Sequence, residues 1–420
     1  MPACTKGILL LSDQSCFAEV ARVPLWQRAL LTGHKAGLHD WLVLTWHNPS
    51  LLQGSLAANP RLKDMTCQVI DMRFAPSVHL HDALPPDDVI VISGSAVFDH
   101  RVLLALQTCA SPTLGILPAV SDDPLSLHTA IPDGHVPTGL LRCSGPLLQS
   151  AMQRARNAMP TEPDPLQPVF TALLAETPVT TFDVSPYTWF PITEPLAASV
   201  TEAESRLLRR MGRDGDSPVV RFVARRVSRA LTRWLLPTRI KPNHITLASG
   251  LIGVCGALLL AQPARSSQVL GSLLFLLSTI IDGCDGELAR LTFQESAFGA
   301  KLDVTMDNAV HAVLFPAIAL GQYRQHQDAL YLILGALALG GVAVSMLVFL
   351  PHVLRPQTTQ SPNTRWHESL ASRDFAYLLP ILAALQKLPW FLWATAIGTY
   401  VFAAAWVVIS WRQRRLGLQR

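Results

Sequence analysis

The sequence predicts an α/β soluble domain followed by an all-α domain of six membrane-crossing helices. Three observations carry that expectation. Half of the 420 residues are hydrophobic, only 15% are charged, and the apolar excess concentrates after about Ile245. Before that point, short β-like apolar runs alternate with helical stretches. After it, long apolar segments recur, interrupted by a few acidic residues at regular spacing. A chain of this length holds two or three domains. Its net charge of +4 gives no ground for expecting a nucleic-acid partner. The first residues, MPACTKGILLLSDQS, hold too short an apolar run for a secretory signal. The seven cysteines show neither paired spacing nor a zinc pattern, so they are expected to be reduced.

In residues 1–205 the runs GILLL (7–11), WLVLTW (41–46), CQVIDM (67–72), DVIVIS (88–93) and TLGIL (113–117) read as buried strands. Helices are expected near 24–36 and 97–109. This alternation predicts a Rossmann-like sheet. A linker is expected over 206–217, where Gly212 and Gly215 precede Pro218. A basic helix should follow over 218–240. There Arg221, Arg225, Arg229 and Arg233 recur every fourth residue beside Arg226, opposite Phe222, Val223, Val227, Ala230, Leu231, Trp234 and Leu235. Such a helix suits the headgroup layer of a bilayer.

The domain at 241–420 carries six apolar spans, near 245–261, 269–285, 302–320, 330–350, 375–385 and 391–411. The fifth is short and contains Pro380. Loops on one side carry Arg290, Lys301, Arg355, Arg365, Arg373, Arg412, Arg414, Arg415 and Arg420. The opposite loops carry only Arg265, Arg324 and Lys387. By the positive-inside rule both termini and the Arg290–Lys301 loop face the cytoplasm.

Within these spans lie Asp282, Asp285, Asp303 and Asp307. An Asp near a bilayer's centre costs roughly 2.5–3.5 kcal/mol, so four of them call for a compensating partner. Asp282 and Asp285 are three apart, Asp303 and Asp307 four apart, so each pair shares a helix face. Two such helices packed face to face would gather four carboxylates. Hard oxygen ligands suit magnesium, manganese or calcium. Two metals bridged by carboxylates suit in-line displacement at phosphorus. Gly286, Ala289 and Gly299 permit close approach, and Arg290 supplies a fork for phosphate. The bland alternative is four solvated aspartates at loop ends.

The string D-x-x-D-G-x-x-A-R-x8-G-x3-D-x3-D, matched without a gap by Asp282, Asp285, Gly286, Ala289, Arg290, Gly299, Asp303 and Asp307, resembles the signature of the CDP-alcohol phosphatidyltransferases. The resemblance implies two divalent ions, Mg2+ or Mn2+, on the four aspartates, with Asp307 also the base. It implies a CDP-linked alcohol beside Gly286, Ala289, Arg290 and Gly299, a hydroxyl acceptor, CMP as leaving group and a homodimer. Pro242, Asn243, Ile245 and Thr246 resemble the family's P-N-x-I-T entry to its first span, which implies that Asn243 and Thr246 lie near the nucleotide. Plain helix capping would explain them equally. Lys301 and Arg373 are candidate acceptor contacts. His311 and Cys284 are expected to be packing residues.

The first half weakly resembles the sugar-phosphate nucleotidyltransferases, in Pro24, Leu25 and Arg28, in Ala36, Gly37 and Leu38, in Ser93, Gly94, Phe98 and Asp99, and in Thr138 and Gly139. The chemistry of that family is missing. The stretch from Ser12 to Val23 has no glycine to cradle phosphate, and Ser95 stands where a metal-binding Asp is expected. The order of domains resembles the fusions of inositol-phosphate cytidylyltransferase with di-myo-inositol-phosphate-phosphate synthase. The expectation is an integral membrane CDP-alcohol phosphotransferase with a degenerate nucleotidyltransferase-like domain. Its rivals are a bifunctional enzyme that also makes the CDP-alcohol from CTP, and a non-enzymatic divalent-cation carrier.

Overall fold

A computed structural model describes residues 6–73, 83–118, 135–158, 169, 172–173, 179–211, 225–353 and 375–415. It divides into two compact units, Met1–Leu207 and Leu208–Arg420.

The first unit is built on a seven-stranded sheet: β1 (Lys6–Leu11), β2 (Asp40–Thr45), β3 (Thr66–Asp71), β4 (Asp88–Ser93), β5 (Thr113–Pro118), β6 (His135–Ser144) and β7 (Thr180–Asp183). Their spatial order is β7-β5-β6-β4-β1-β2-β3. The five strands expected from the apolar runs are all present. β1 pairs in parallel with β2 and β4, while β6 runs antiparallel between β4 and β5. Adjacent residues Ile8 and Leu9 of β1 and Ile90 and Val91 of β4 are all buried, as a sheet covered on both faces requires. The expected helices are α1 (Leu25–Lys35) and α3 (His100–Thr108), with α2 (Pro49–Ala58) and α4 (Gly145–Ala158) between and after them. α5 (Leu196–Arg210) completes the element series near the unit boundary.

Strand order reverses between β1 and β4, the place where α/β sheets bind ligands. Asp13 caps a 3-10 turn, Gln14–Phe17, through the amides of Ser15 and Cys16. Cys16 is wholly buried, and a Cβ built on Gly94 would stand 3.2 Å from its sulfur. Burial, with the Asp13 carboxylate beside it, pushes the Cys16 thiol up to about 12. Phe17 meets the ring of His47 edge-on at 5.1 Å. Gly139, at φ +73, packs against Ser93, so the Ser93–Gly94 and Thr138–Gly139 pairs do lie together.

Among the described residues the second unit is built of helices: α6 (Arg225–Leu235), α7 (Pro242–Leu260), α8 (Arg265–Leu291), α9 (Ala297–His326), α10 (Leu330–Val353), α11 (Phe375–Ala384) and α12 (Leu388–Arg415). Among the described residues, four helices are long and apolar enough to cross a membrane: Pro242–Leu260, Arg265–Leu291, Ala297–His326 and Leu388–Val408. The six-span expectation thus stands at four on length and composition. The fourth and fifth expected spans appear as the apolar α10 and the ten-residue α11.

Glycine sets how closely these helices approach. Gly250, Gly253 and Gly256 form a buried stripe on α7. A Cβ on Gly256 would stand 2.7 Å from the Gly271 carbonyl of α8, and one on Gly253 would stand 2.9 Å from Ser278 and Val310. Backbone thus lies against backbone, as small residues permit in membrane bundles. Gly256→Leu is expected to destabilise the bundle by about 1–3 kcal/mol, because a carbonyl cannot move aside. Thermal unfolding in detergent checks this.

Candidate metal centre

Two local features bring the motif together. α8 ends at Leu291, where Thr292 returns its hydroxyl to the Leu288 carbonyl, and Phe293 takes a left-handed φ of 52. Ser296 then caps α9 by accepting the Gly299 amide at 3.0 Å. The short loop between them turns α9 back alongside α8. Pro242 opens α7, as its fixed φ favours.

Asp282 and Asp285 of α8 and Asp303 of α9 each offer a carboxylate oxygen, all within 4.8 Å of one another. Oxygens on opposite sides of one cation stand about 4.2 Å apart for magnesium and about 4.8 Å for calcium, twice the metal–oxygen distance. The three therefore lie close enough together to share a hard divalent cation. Asp307 is not in this group. It lines a cleft with Asp282, running between Ser249, Ser278 and His311.

Asp285 is only 8% exposed, and both of its oxygens are held. Thr246 donates its hydroxyl to Oδ2, and the Gly286 amide donates to Oδ1. Ser249 reaches Asp282 Oδ1 at 3.5 Å. Thr246, expected near the nucleotide, is thus brought to a carboxylate, with only 2% of its surface exposed. Asn243 lies at Gly299: a Cβ there would stand 3.1 Å from its Oδ1. The Arg290 guanidinium lies over Gly286, where a Cβ would stand 3.2 Å from it. Ala289 is half-buried one turn beyond Asp285 on α8. Lys301 is exposed and lies about 200° round α9 from Asp303, so the fold does not gather it with the carboxylates. Arg373 lies outside the described residues, as do Arg221, Phe222 and Val223 of the expected basic helix. His311 packs among Phe275, Phe315 and Phe375, and Cys284 is buried, both as expected.

The basic helix needs one correction. Arg225 was expected on its outward face, but it is 8% exposed. The cause is Glu287 of α8, wholly buried, which bonds Arg225 Nη1 at 3.0 Å. Val227 and Trp234, expected on the apolar side, are exposed at 46% and 70%, along with Arg226, Ala230 and Arg233. Sequence reasoning passed over Glu287, Ser228 and Thr232. The signal was a Glu amid apolar residues and two hydroxyl residues four apart on a juxtamembrane helix.

Comparison with known proteins bears on the same segment. Residues 239–413 match the CDP-alcohol phosphatidyltransferase family. The chain is 35% identical over 184 residues to the bifunctional IPC transferase and DIPP synthase of Rubrobacter xylanophilus, covering 44% of this chain and 40% of that protein. It is 33% identical over 82 residues to the archaetidylinositol phosphate synthase of Pyrococcus horikoshii, covering 20% and 42%. The chain thus spans less than half the length of these relatives. Among solved structures, the inositol-1-phosphate CTP transferase of T. maritima aligns at 13% identity, with 48% and 97% of the two chains covered and a TM-score of 0.36. The phosphatidylinositol phosphate synthase of Mycobacterium tuberculosis with CDP-DAG bound aligns at 21%, with 44% and 89% covered and a TM-score of 0.33. With the signature met residue for residue and three of its aspartates converging, residues 239–413 are a CDP-alcohol phosphatidyltransferase domain.

Proposed function

We propose that this chain is an integral membrane phosphotransferase. It moves a substituted phosphate from a CDP-linked alcohol, such as CDP-diacylglycerol, to an acceptor hydroxyl and releases CMP. The observation that carries the reading is the meeting of Asp282, Asp285 and Asp303 within 4.8 Å, at the spacing of the family signature. These three and Asp307 would hold two divalent ions, Mg2+ or Mn2+, which when bound polarise the phosphate and offset charge on the departing CMP.

The chain's own residues do the rest. Asp307, in the cleft beside Asp282, takes the proton of the attacking hydroxyl. Arg290, over the bare backbone of Gly286, forks onto phosphate oxygen. Asn243, Ala289 and Gly299 border the nucleotide, and Thr246 serves the site through the Asp285 carboxylate it holds. Of the two acceptor candidates Arg373 is retained, and Lys301, turned away from the carboxylates, is not. Six helices cross the bilayer, with termini and site on the cytoplasmic side, and the protein works as a homodimer.

The test is CMP release by the purified chain from CDP-diacylglycerol, against a panel of polyols and polyol phosphates with magnesium or manganese. Asp307→Asn is expected to lower turnover about 10²–10⁴-fold, the range for losing a general base, while Mn2+ binding at Asp282, Asp285 and Asp303 persists. A cation carrier would instead show ion flux without CMP.

A second reading is favoured by the similarity to the bifunctional IPC transferase and DIPP synthase of Rubrobacter xylanophilus. In it the first unit also makes the CDP-alcohol. The stretch from Ser12 to Val23 speaks against it, since it has no glycine to cradle a phosphate. Pyrophosphate release from CTP and polyol phosphates by the full chain carrying Asp307→Asn separates the two: none is expected.

A further inference from the structure

The buried face of α6 is polar. Arg225, Ser228, Thr232 and Leu235 recur along it and are all buried. They meet the back of α8. Glu287, wholly buried, accepts from Arg225 Nη1 at 3.0 Å and from Ser228 Oγ at 2.9 Å through Oε1, and from Thr232 Oγ1 at 2.9 Å through Oε2. One turn earlier the Cys284 thiol points to the Ser228 carbonyl at 3.5 Å. Glu287 stands about 200° round the helix from Asp285, so it belongs to the opposite side from the carboxylate group.

We propose that Glu287 is a positioning residue for the metal centre. Its three bonds fix the rotation and height of the last two turns of α8, and through them the aim of Asp285 and Arg290. Directional bonds do this where apolar packing would not. An apolar face tolerates small rotations and slides, whereas a carboxylate held at both oxygens by three donors on one helix has a single register. Metal sites depend on such partners, and losing one typically lowers metal affinity 10–100-fold. The inference rests on the proposed role of Asp285 as a metal ligand. One arm of its test is therefore independent of metal.

The experiment uses the full chain in nanodiscs without substrate. Glu287→Gln keeps an acceptor for the hydroxyls and removes the charge that holds Arg225. Mn2+ titration followed by electron paramagnetic resonance is expected to show affinity lowered at least tenfold. Hydrogen exchange is expected to rise at the amides of residues 285–291 and to stay unchanged in α9 and α12. Arg225→Lys, which keeps the ion pair, should hold Mn2+ affinity within about threefold of the parent. A role in stability alone predicts a lower unfolding temperature, with unchanged Mn2+ affinity in the folded fraction and unchanged exchange at 285–291. That result overturns the proposal. If the parent chain binds no Mn2+, the metal reading fails, and the exchange arm still decides whether Glu287 sets the register of α8. Should Glu287→Gln not fold, Thr232→Val removes one of the three bonds at nearly constant volume, and the same two readouts apply.

Discussion

Asp285→Asn is expected to abolish measurable CMP release while leaving the fold intact, with Mn2+ affinity down at least about a hundredfold, the upper end for losing even an indirect metal partner. The two halves of that expectation have separate causes. Asp285 sits where Asp282 and Asp303 bring their oxygens within 4.8 Å, so an amide there removes one of three anionic donors from a hard-cation site. The fold survives because both contacts of the side chain can be remade. The amide carbonyl can accept from the Gly286 N–H, and the Thr246 hydroxyl can turn to accept from the amide NH2. A swap in the other sense would set two donors face to face at Gly286, so one rotamer is enforced. Asp282→Asn and Asp303→Asn should behave similarly. Asp307→Asn should differ, since it stands outside the three and lines the cleft. Unchanged CMP release by Asp285→Asn, in protein with native circular dichroism, would sink the assignment of the site.

Much of this arrangement could be read from the chain because helical periodicity fixes faces. Residues three and four apart must share a side, so the two aspartate pairs announced their helices before any packing was known. Apolar runs of β-branched and leucine residues likewise marked β1 to β5. β6 escaped for a physical reason. Its segment carries Pro137, Gly139 and Arg142, and so lacks the signature of a buried strand. Arg142 is nevertheless 3% exposed, because Asp88 bonds it at 3.0 Å and the Gln107 and Cys109 carbonyls take its other nitrogen. Arg225 repeats the lesson. A charge within an amphipathic pattern is read as outward unless its partner is known, and here the partner is 62 residues away in sequence. Long-range pairing of charges is invisible to periodicity. Thr246 shows the converse limit: its place in the helix was legible, but not which oxygen it would serve.

Arg225→Ala should be the most destabilising single change in the second unit. It leaves Glu287 buried with its charge uncompensated, and breaking a buried pair in this way costs about 3–5 kcal/mol. Side-chain exposures of 10% for Arg225 and 1% for Glu287 leave solvent little room to screen the loss. The instructive variant is the double one. Arg225→Met with Glu287→Leu removes both charges and keeps most of the volume, an exchange that is often neutral or stabilising. The hydroxyls of Ser228 and Thr232 would lose their acceptor, but within α6 Thr232 can turn to the Ser228 carbonyl and Ser228 to the Arg225 carbonyl. Unfolding temperature should therefore fall sharply in Arg225→Ala and recover in the double variant. If the pair served stability alone, Mn2+ affinity would recover with it. If α8 depends on directional bonds for its register, the double variant regains the unfolding temperature of the parent and still binds Mn2+ weakly. Unfolding temperature and Mn2+ affinity, measured on the same preparations, thus separate holding the helices together from aiming them.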